Sequence, residues 1–397
     1  MGDGNHVSVK AAAVTGLACL ASAMGIGRFA FTPILPLMQE TLGVSLADGA
    51  WLATANYVGY LLGACLSFLL TPRAGTSARW GLVAVALLTL AMGITSSMWQ
   101  WLILRLVAGV ASAFVLVGAS AWALAHLASH RRTDLAGWVF AGVGIGICLA
   151  GLVALALGSF RGVPEQAWTT LGVSALIVTF GTWGRLSIPT PGSQVQESAA
   201  ADPLDRSTWL LVACYGAFGF GYIIPATFIP AAARTLVQDP LVFGWAWPLF
   251  GLAAAASTVG VTSLFRSTAP RRTAAVSLLV MAVGVAAPAV QMSLYALALS
   301  AVCVGGTFMV MTMAAVQEAR RMSTGNPTKL IAALTAAFAL GQLAGPVLVS
   351  LSLATGNGFT LPSAGAAALL VCSALALLLT QRKAMPRTPP LANERTS

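Results

Sequence analysis

Two arginines stand where a charge is costly. Arg28 interrupts the apolar stretch 11–38 and Arg105 the stretch 100–127, and neither stretch holds another Lys, Arg, Asp or Glu. A guanidinium near the middle of a lipid bilayer costs about 2.5–3.5 kcal/mol on insertion scales, so it must face a partner or a water-filled cavity. Its fork matches a carboxylate through two parallel N–H···O bonds. Arg28 therefore reads as a candidate cation for an anionic group. The alternative is a structural Arg capping backbone carbonyls near Pro33 and Pro36. Arg105 lies nearer the end of its stretch, where snorkelling to the interface would also keep its charge wet. Further hydrogen-bonding groups within apolar stretches are Asn56, Tyr57, Tyr60, Tyr215, Tyr222 and Gln342, with Thr307 and Thr312 as weaker candidates. These line a polar cavity or serve as ordinary glue between helices. Trp245 and Trp247 read as interface anchors. Phe218, Phe220 and Phe250 read as packing or as the wall of an apolar cavity.

The remaining chemistry-bearing residues argue against an enzyme. There are three His, and only His126 and His130 lie close in sequence. General acid–base or metal chemistry needs such groups clustered on one face. Cys19, Cys65, Cys148, Cys214, Cys303 and Cys372 lie singly in apolar runs, without CxxC spacing, as small buried residues do. Gly142, Gly144 and Gly146 imitate part of a dinucleotide fingerprint but follow no strand, and no phosphate-binding loop ending in Lys-Ser/Thr is present. No cofactor and no metal are expected. Asp48, Asp134 and Glu318 lie at the ends of apolar runs, so no carboxylate is evident at the depth of Arg28.

The elements that hold these residues follow from composition. Of 397 residues 58% are hydrophobic and 8% charged, against roughly 25% charged in a soluble domain. Such a chain cannot cover a water-facing surface. Apolar runs fall at about 11–38, 48–71, 80–98, 100–127, 135–159, 166–186, 208–232, 242–265, 273–290, 293–317, 329–352 and 362–381. Each is close to the ~20 residues that span a bilayer. The small-residue triplet Ala21-Ser22-Ala23 is not read as a cleavage site, because the apolar run continues past it. The expected organisation is a six-helix bundle over 1–186, a polar linker over 187–207, a second six-helix bundle over 208–381 and a disordered tail over 382–397. With the N-terminus in the cytoplasm, inner segments hold 17 of the 21 Lys and Arg, and outer loops only Arg161 and Arg234. Positive charge gathers on the cytoplasmic side, so the net charge of +10 reads as topology in a cell (inner) membrane with both termini inside. It does not read as nucleic-acid binding. Lipid and a small-molecule substrate are the expected partners, and the working unit is expected to be a monomer.

A shift of 194 residues superposes Gly25 on Gly219, Gly27 on Gly221, Pro36 on Pro230 and Trp51 on Trp245 without a gap. Two repeated halves related by an axis along the membrane normal would place a site at their interface. The segments GIGRFAFTPILPLM (25–38), ANYVGYLLGA (55–64), GFGYIIPATFIP (219–230), GGTFMVMT (305–312) and TAAFALGQLAGP (335–346) resemble the YbfB/YjiJ-type branch of the major facilitator superfamily. Arg105, Gly109 and Ala113 match that superfamily's RxxxGxxxA pattern in the fourth helix, which implies a coupling or conformational role for Arg105. Gly341, Gly345 and Pro346 give a GxxxGP in the eleventh helix, a motif usually sought in the fifth. The second loop, TPRAGTSAR (71–79), lacks the family's acid.

The resemblance implies an all-α membrane protein of twelve helices in two pseudo-symmetric six-helix bundles. The expected function is secondary active transport of a small organic solute, anionic or zwitterionic, by alternating access. The substrate groups would be Arg28, Asn56, Tyr57, Tyr60, Tyr215, Tyr222 and Gln342. The coupling reading leans toward a proton, with uniport or anion-gradient drive left open. A drug or metabolite efflux carrier of the same fold, and a non-transporting sensor, are the alternatives.

Overall fold

Within lipid the backbone must satisfy its own hydrogen bonds, so a chain this apolar is confined to helices or a closed barrel. The computed structural model describes residues 7–160, 162–189, 205–236, 244–323, 327–354 and 360–380. Twelve long helices run through these residues: α1 (Val9–Leu42), α2 (Leu46–Leu70), α3 (Ala74–Ile94), α4 (Met98–Ser129), α5 (Ala136–Ser159), α6 (Pro164–Leu186), α7 (Arg206–Leu236), α8 (Ala246–Leu264), α9 (Pro270–Val290), α10 (Leu294–Met322), α11 (Thr328–Ala354) and α12 (Thr360–Leu379). No strand occurs among them. Most of the expected linker (190–204) and the whole expected tail (382–397) lie outside the described residues.

Eleven of these helices are long and apolar enough to cross a membrane. The other, α6, has 23 residues, ample length for a span, but carries Glu165, Gln166 and several hydroxyl residues. Thr179 and Thr182 donate to the Ala175 and Val178 carbonyls one turn back, so their polarity is hidden within the helix. Ends are fixed by local chemistry. Gly43 closes α1 at φ 67°, a left-handed cap that glycine adopts without a Cβ clash. Ser45 and Asp48 open α2 with a reciprocal capping box.

Packing repeats with a shift of six helices. The α1 helix packs on α3, α4, α5 and α6, and α2 on α4; α7 packs on α9, α10, α11 and α12, and α8 on α10. The two six-helix bundles meet along two seams that the repeat exchanges, α2 with α11 and α5 with α8. Glycines matched by the 194-residue shift have matched surroundings. A Cβ on Gly25 would lie 2.3 Å from the Gly146 backbone in α5, and one on Gly219 would lie 2.2 Å from the Phe338 carbonyl in α11. The α5–α8 seam is equally close, since a Cβ on Gly144 would meet the Gly251 carbonyl at 2.4 Å. At the end where Lys10, Arg73, Arg131 and Arg320 lie (the basic end), Arg266 of the α8–α9 loop reaches Asp134, just before α5, at 2.7 Å. Trp51 and Trp245, equivalent under the shift, are both exposed at the starts of α2 and α8.

Candidate functional site

Arg28 lies in the nine-residue stretch Ala21–Phe29, where α1 widens to i→i+5 bonding. Such stretches often mark functional positions, because they leave backbone groups unpaired. In this register the Arg28 carbonyl would accept from residue 33, and residue 33 is proline, which has no N–H. The vacancy is filled from α4. Arg105 donates through Nη2 to the Arg28 carbonyl at 3.2 Å and through Nη1 to the Gly27 carbonyl at 3.3 Å. Two turns further along, Ser112 donates to the Ala23 carbonyl at 2.9 Å. Arg105 is 3% exposed, so it does not snorkel. Its guanidinium lies 4.7 Å from the Phe31 ring. Asn56 of α2 donates to the Arg105 carbonyl at 2.9 Å, which ties α2 to the same joint. The carbonyl-capping role weighed for Arg28 in the sequence thus belongs to Arg105.

With its own carbonyl held, Arg28 sends its side chain the other way. It is 2% exposed, and Nη2 donates to Oε1 of Gln342 on α11, across the interface between the bundles. Gln342 is fully buried. It lies one turn before Pro346, whose missing N–H removes the helical donor for the Gln342 carbonyl. The Arg28 guanidinium lies 3.7 Å from the Tyr60 ring centre, with Phe29, Tyr57 and Phe338 at 5.4, 5.7 and 5.8 Å. Nε and Nη1 of Arg28 and Nε2 of Gln342 have no acceptor among the described residues.

The remaining candidates divide. Tyr222 lies in this region, stacked on Phe308 of α10 at 4.5 Å and against Phe338 at 5.9 Å. Tyr215 spends its hydroxyl on Thr312 at 3.1 Å, within the second bundle. Thr307 hydrogen-bonds within α10, to the Cys303 carbonyl. Trp245 is exposed, whereas Trp247 turns inward and stacks on Phe250 at 5.4 Å. Asp48 serves the cap of α2, Asp134 is held between Arg132 and Arg266, and Glu318 lies 3.9 Å from Arg271. None of these three acids joins Arg28.

Sequence reading missed Phe29, Phe308 and Phe338, and it missed the widened stretch of α1. A usable signal was present for Phe338. It precedes Gln342 by four residues, which sets both on one face of α11, and Phe218 and Tyr222 share a face of α7 in the same way.

Twelve helices in two repeated bundles, with the Arg28–Gln342 contact crossing between them, define the class of major facilitator carriers. The family model described as "Uncharacterised MFS-type transporter YbfB" matches residues 20–378. The chain belongs to that family and is a multi-pass membrane transporter. A stretch of 94 residues is 33% identical to "Uncharacterized MFS-type transporter YceJ" of Bacillus subtilis (strain 168), covering 23% of this chain and 24% of that relative. The fold is similar to the crystal structure of the human organic anion transporter MFSD10 (TETRAN), with TM-score 0.68 and 14% identity over 92% of this chain and 99% of that one.

Proposed function

We propose that the protein is a secondary carrier of a small organic anion, which it binds at Arg28 between the two bundles and moves by alternating access. The observation that carries this reading is the Arg28 side chain. It is a buried cation whose hydrogen bond to Gln342 crosses from α1 to α11, with Nε and Nη1 left without an acceptor among the described residues. A charge so placed needs an anion, and an anion bound there would touch both bundles at once. That contact is what lets a ligand bias their relative arrangement. MFSD10, whose fold this chain shares, is an organic anion transporter, which accords with this. Tyr60, Tyr57 and Tyr222 flank the bound anion. Asn56 and Arg105 hold the α1 backbone that presents Arg28, and Tyr215 supports from behind. The basic end faces the cytoplasm of a cell (inner) membrane, following the bias of Lys and Arg.

The test is solute flux in proteoliposomes containing purified protein. Uptake of an organic anion above protein-free vesicles, abolished by Arg28→Ala in a folded protein, is expected. Flux unaffected by that change would refute the assignment of the site.

A further inference from the structure

The unsatisfied groups around Arg28, read with the rings that surround them, specify a ligand class; this rests on the carrier reading above. We infer that the cargo is a monocarboxylate with an aromatic body.

The polar inventory comes first. Nε and Nη1 of Arg28 and Nε2 of Gln342 are all donors, all buried and all without acceptors among the described residues. They therefore call for a group rich in acceptors, and a carboxylate supplies two oxygens to a guanidinium fork and a neighbouring amide. The charge comes next. Arg105 also keeps Nε open, yet both of its Nη atoms are held by α1 carbonyls. Among the described residues Arg28 is therefore the one cation turned toward the Gln342 side, and a single negative charge neutralises it. A second carboxylate would be buried against rings. An ammonium group would be buried beside a guanidinium that already occupies the nearby ring faces, with Asp48, Asp134 and Glu318 committed elsewhere.

The body of the ligand follows from the walls. Four rings from α1, α2 and α11 lie within 6 Å of the Arg28 guanidinium. Behind them the rings continue, with the Tyr222 hydroxyl and the Trp247 indole N–H as the polar atoms of the band. Phe29 meets Phe308 edge-on at 5.7 Å, Tyr222 stacks on Phe308, Phe250 lies 6.3 Å from Phe308, and Trp247 stacks on Phe250. A polyhydroxylated body would lose more water there than these few hydroxyls and one indole N–H could replace. A planar apolar ring would gain offset and edge contacts.

The experiment uses the full chain in proteoliposomes at pH 7.5, with four radiolabelled probes: benzoate, phthalate, gluconate and phenylalanine. Protein-free vesicles set the leak. Benzoate flux at least tenfold above that of the other three is expected. Tyr222→Leu should weaken it about tenfold, and Arg28→Ala should abolish it. Arg28→Lys, which keeps the charge, and the melting profile of each variant separate loss of binding from loss of folding. If phthalate, gluconate or phenylalanine is carried in an Arg28-dependent way and benzoate is not, the ligand class is wrong while the carrier reading stands. If no probe shows Arg28-dependent flux, the assignment of the anion site to Arg28 fails and the inference with it.

Discussion

Replacing Gln342 with Glu exchanges an amide for a carboxylate of nearly the same shape, opposite a guanidinium it already contacts. Both residues are buried, at 2% exposure for Arg28 and 0% for Gln342, so solvent screens the new pair little. At about 4 Å and an effective dielectric near 20, the attraction is about 4 kcal/mol. Desolvating the carboxylate offsets much of that, so the effect on folding is small. The effect on an anionic ligand is not small. The ligand must displace an internal anion, and about 4 kcal/mol corresponds to roughly a thousandfold in affinity. Gln342→Ala gives the contrast. It removes the Arg28 acceptor and one ligand donor but leaves the charge free, so the ligand loses one hydrogen bond, about 1 kcal/mol or roughly fivefold. The assay is concentration-dependent flux in proteoliposomes, with melting curves of both variants. Gln342→Glu should be folded and nearly inert, and Gln342→Ala less stable but active. Glu variants that transport as well as Ala variants would refute the idea that Arg28 is held open for an anion.

Arg28→Lys keeps the charge and loses the fork; about 1.5–3 kcal/mol of charge-assisted bonding predicts a ten- to hundredfold rise in KM with expression unchanged. Arg105→Ala strips two buried carbonyls of their donors. At about 1–3 kcal/mol for each unsatisfied group, it should lower thermal stability sharply, and a melting curve like the parent's would contradict the capping role. Asp134→Asn weakens a contact with Arg266, which is 62% exposed. It should cost less than about 1 kcal/mol yet raise the labelling of cysteines placed at the basic end of the α5–α8 seam. For topology, cysteines at Arg131 and Arg272 should react only from the cytoplasm. Arg271 itself is a poor probe, being buried and bonded to Ser207, Thr380 and the Leu377 carbonyl.

Much of the architecture was legible in the chain because lipid imposes one requirement on every span. Apolar length gives each helix, and the alternating basic loops give the count, so the expected runs and the observed helices differ by only a few residues at most ends. The repeat was legible too, since Gly25 and Gly219 are glycines for the same reason, a neighbouring helix backbone where a Cβ would be. Arg28 stood out because a lone charge in an apolar run is costly wherever it lies. What such a charge faces depends on distant segments, and only the tertiary structure decided that. Pro33 leaves a carbonyl open in the widened part of α1, and Arg105, 77 residues away from Arg28 in sequence, fills it. That frees Arg28 for Gln342, which is 314 residues away. Two arginines alike in sequence therefore have opposite duties, because side-chain partners are set by which helices the fold brings together and not by the apolar run in which each residue sits.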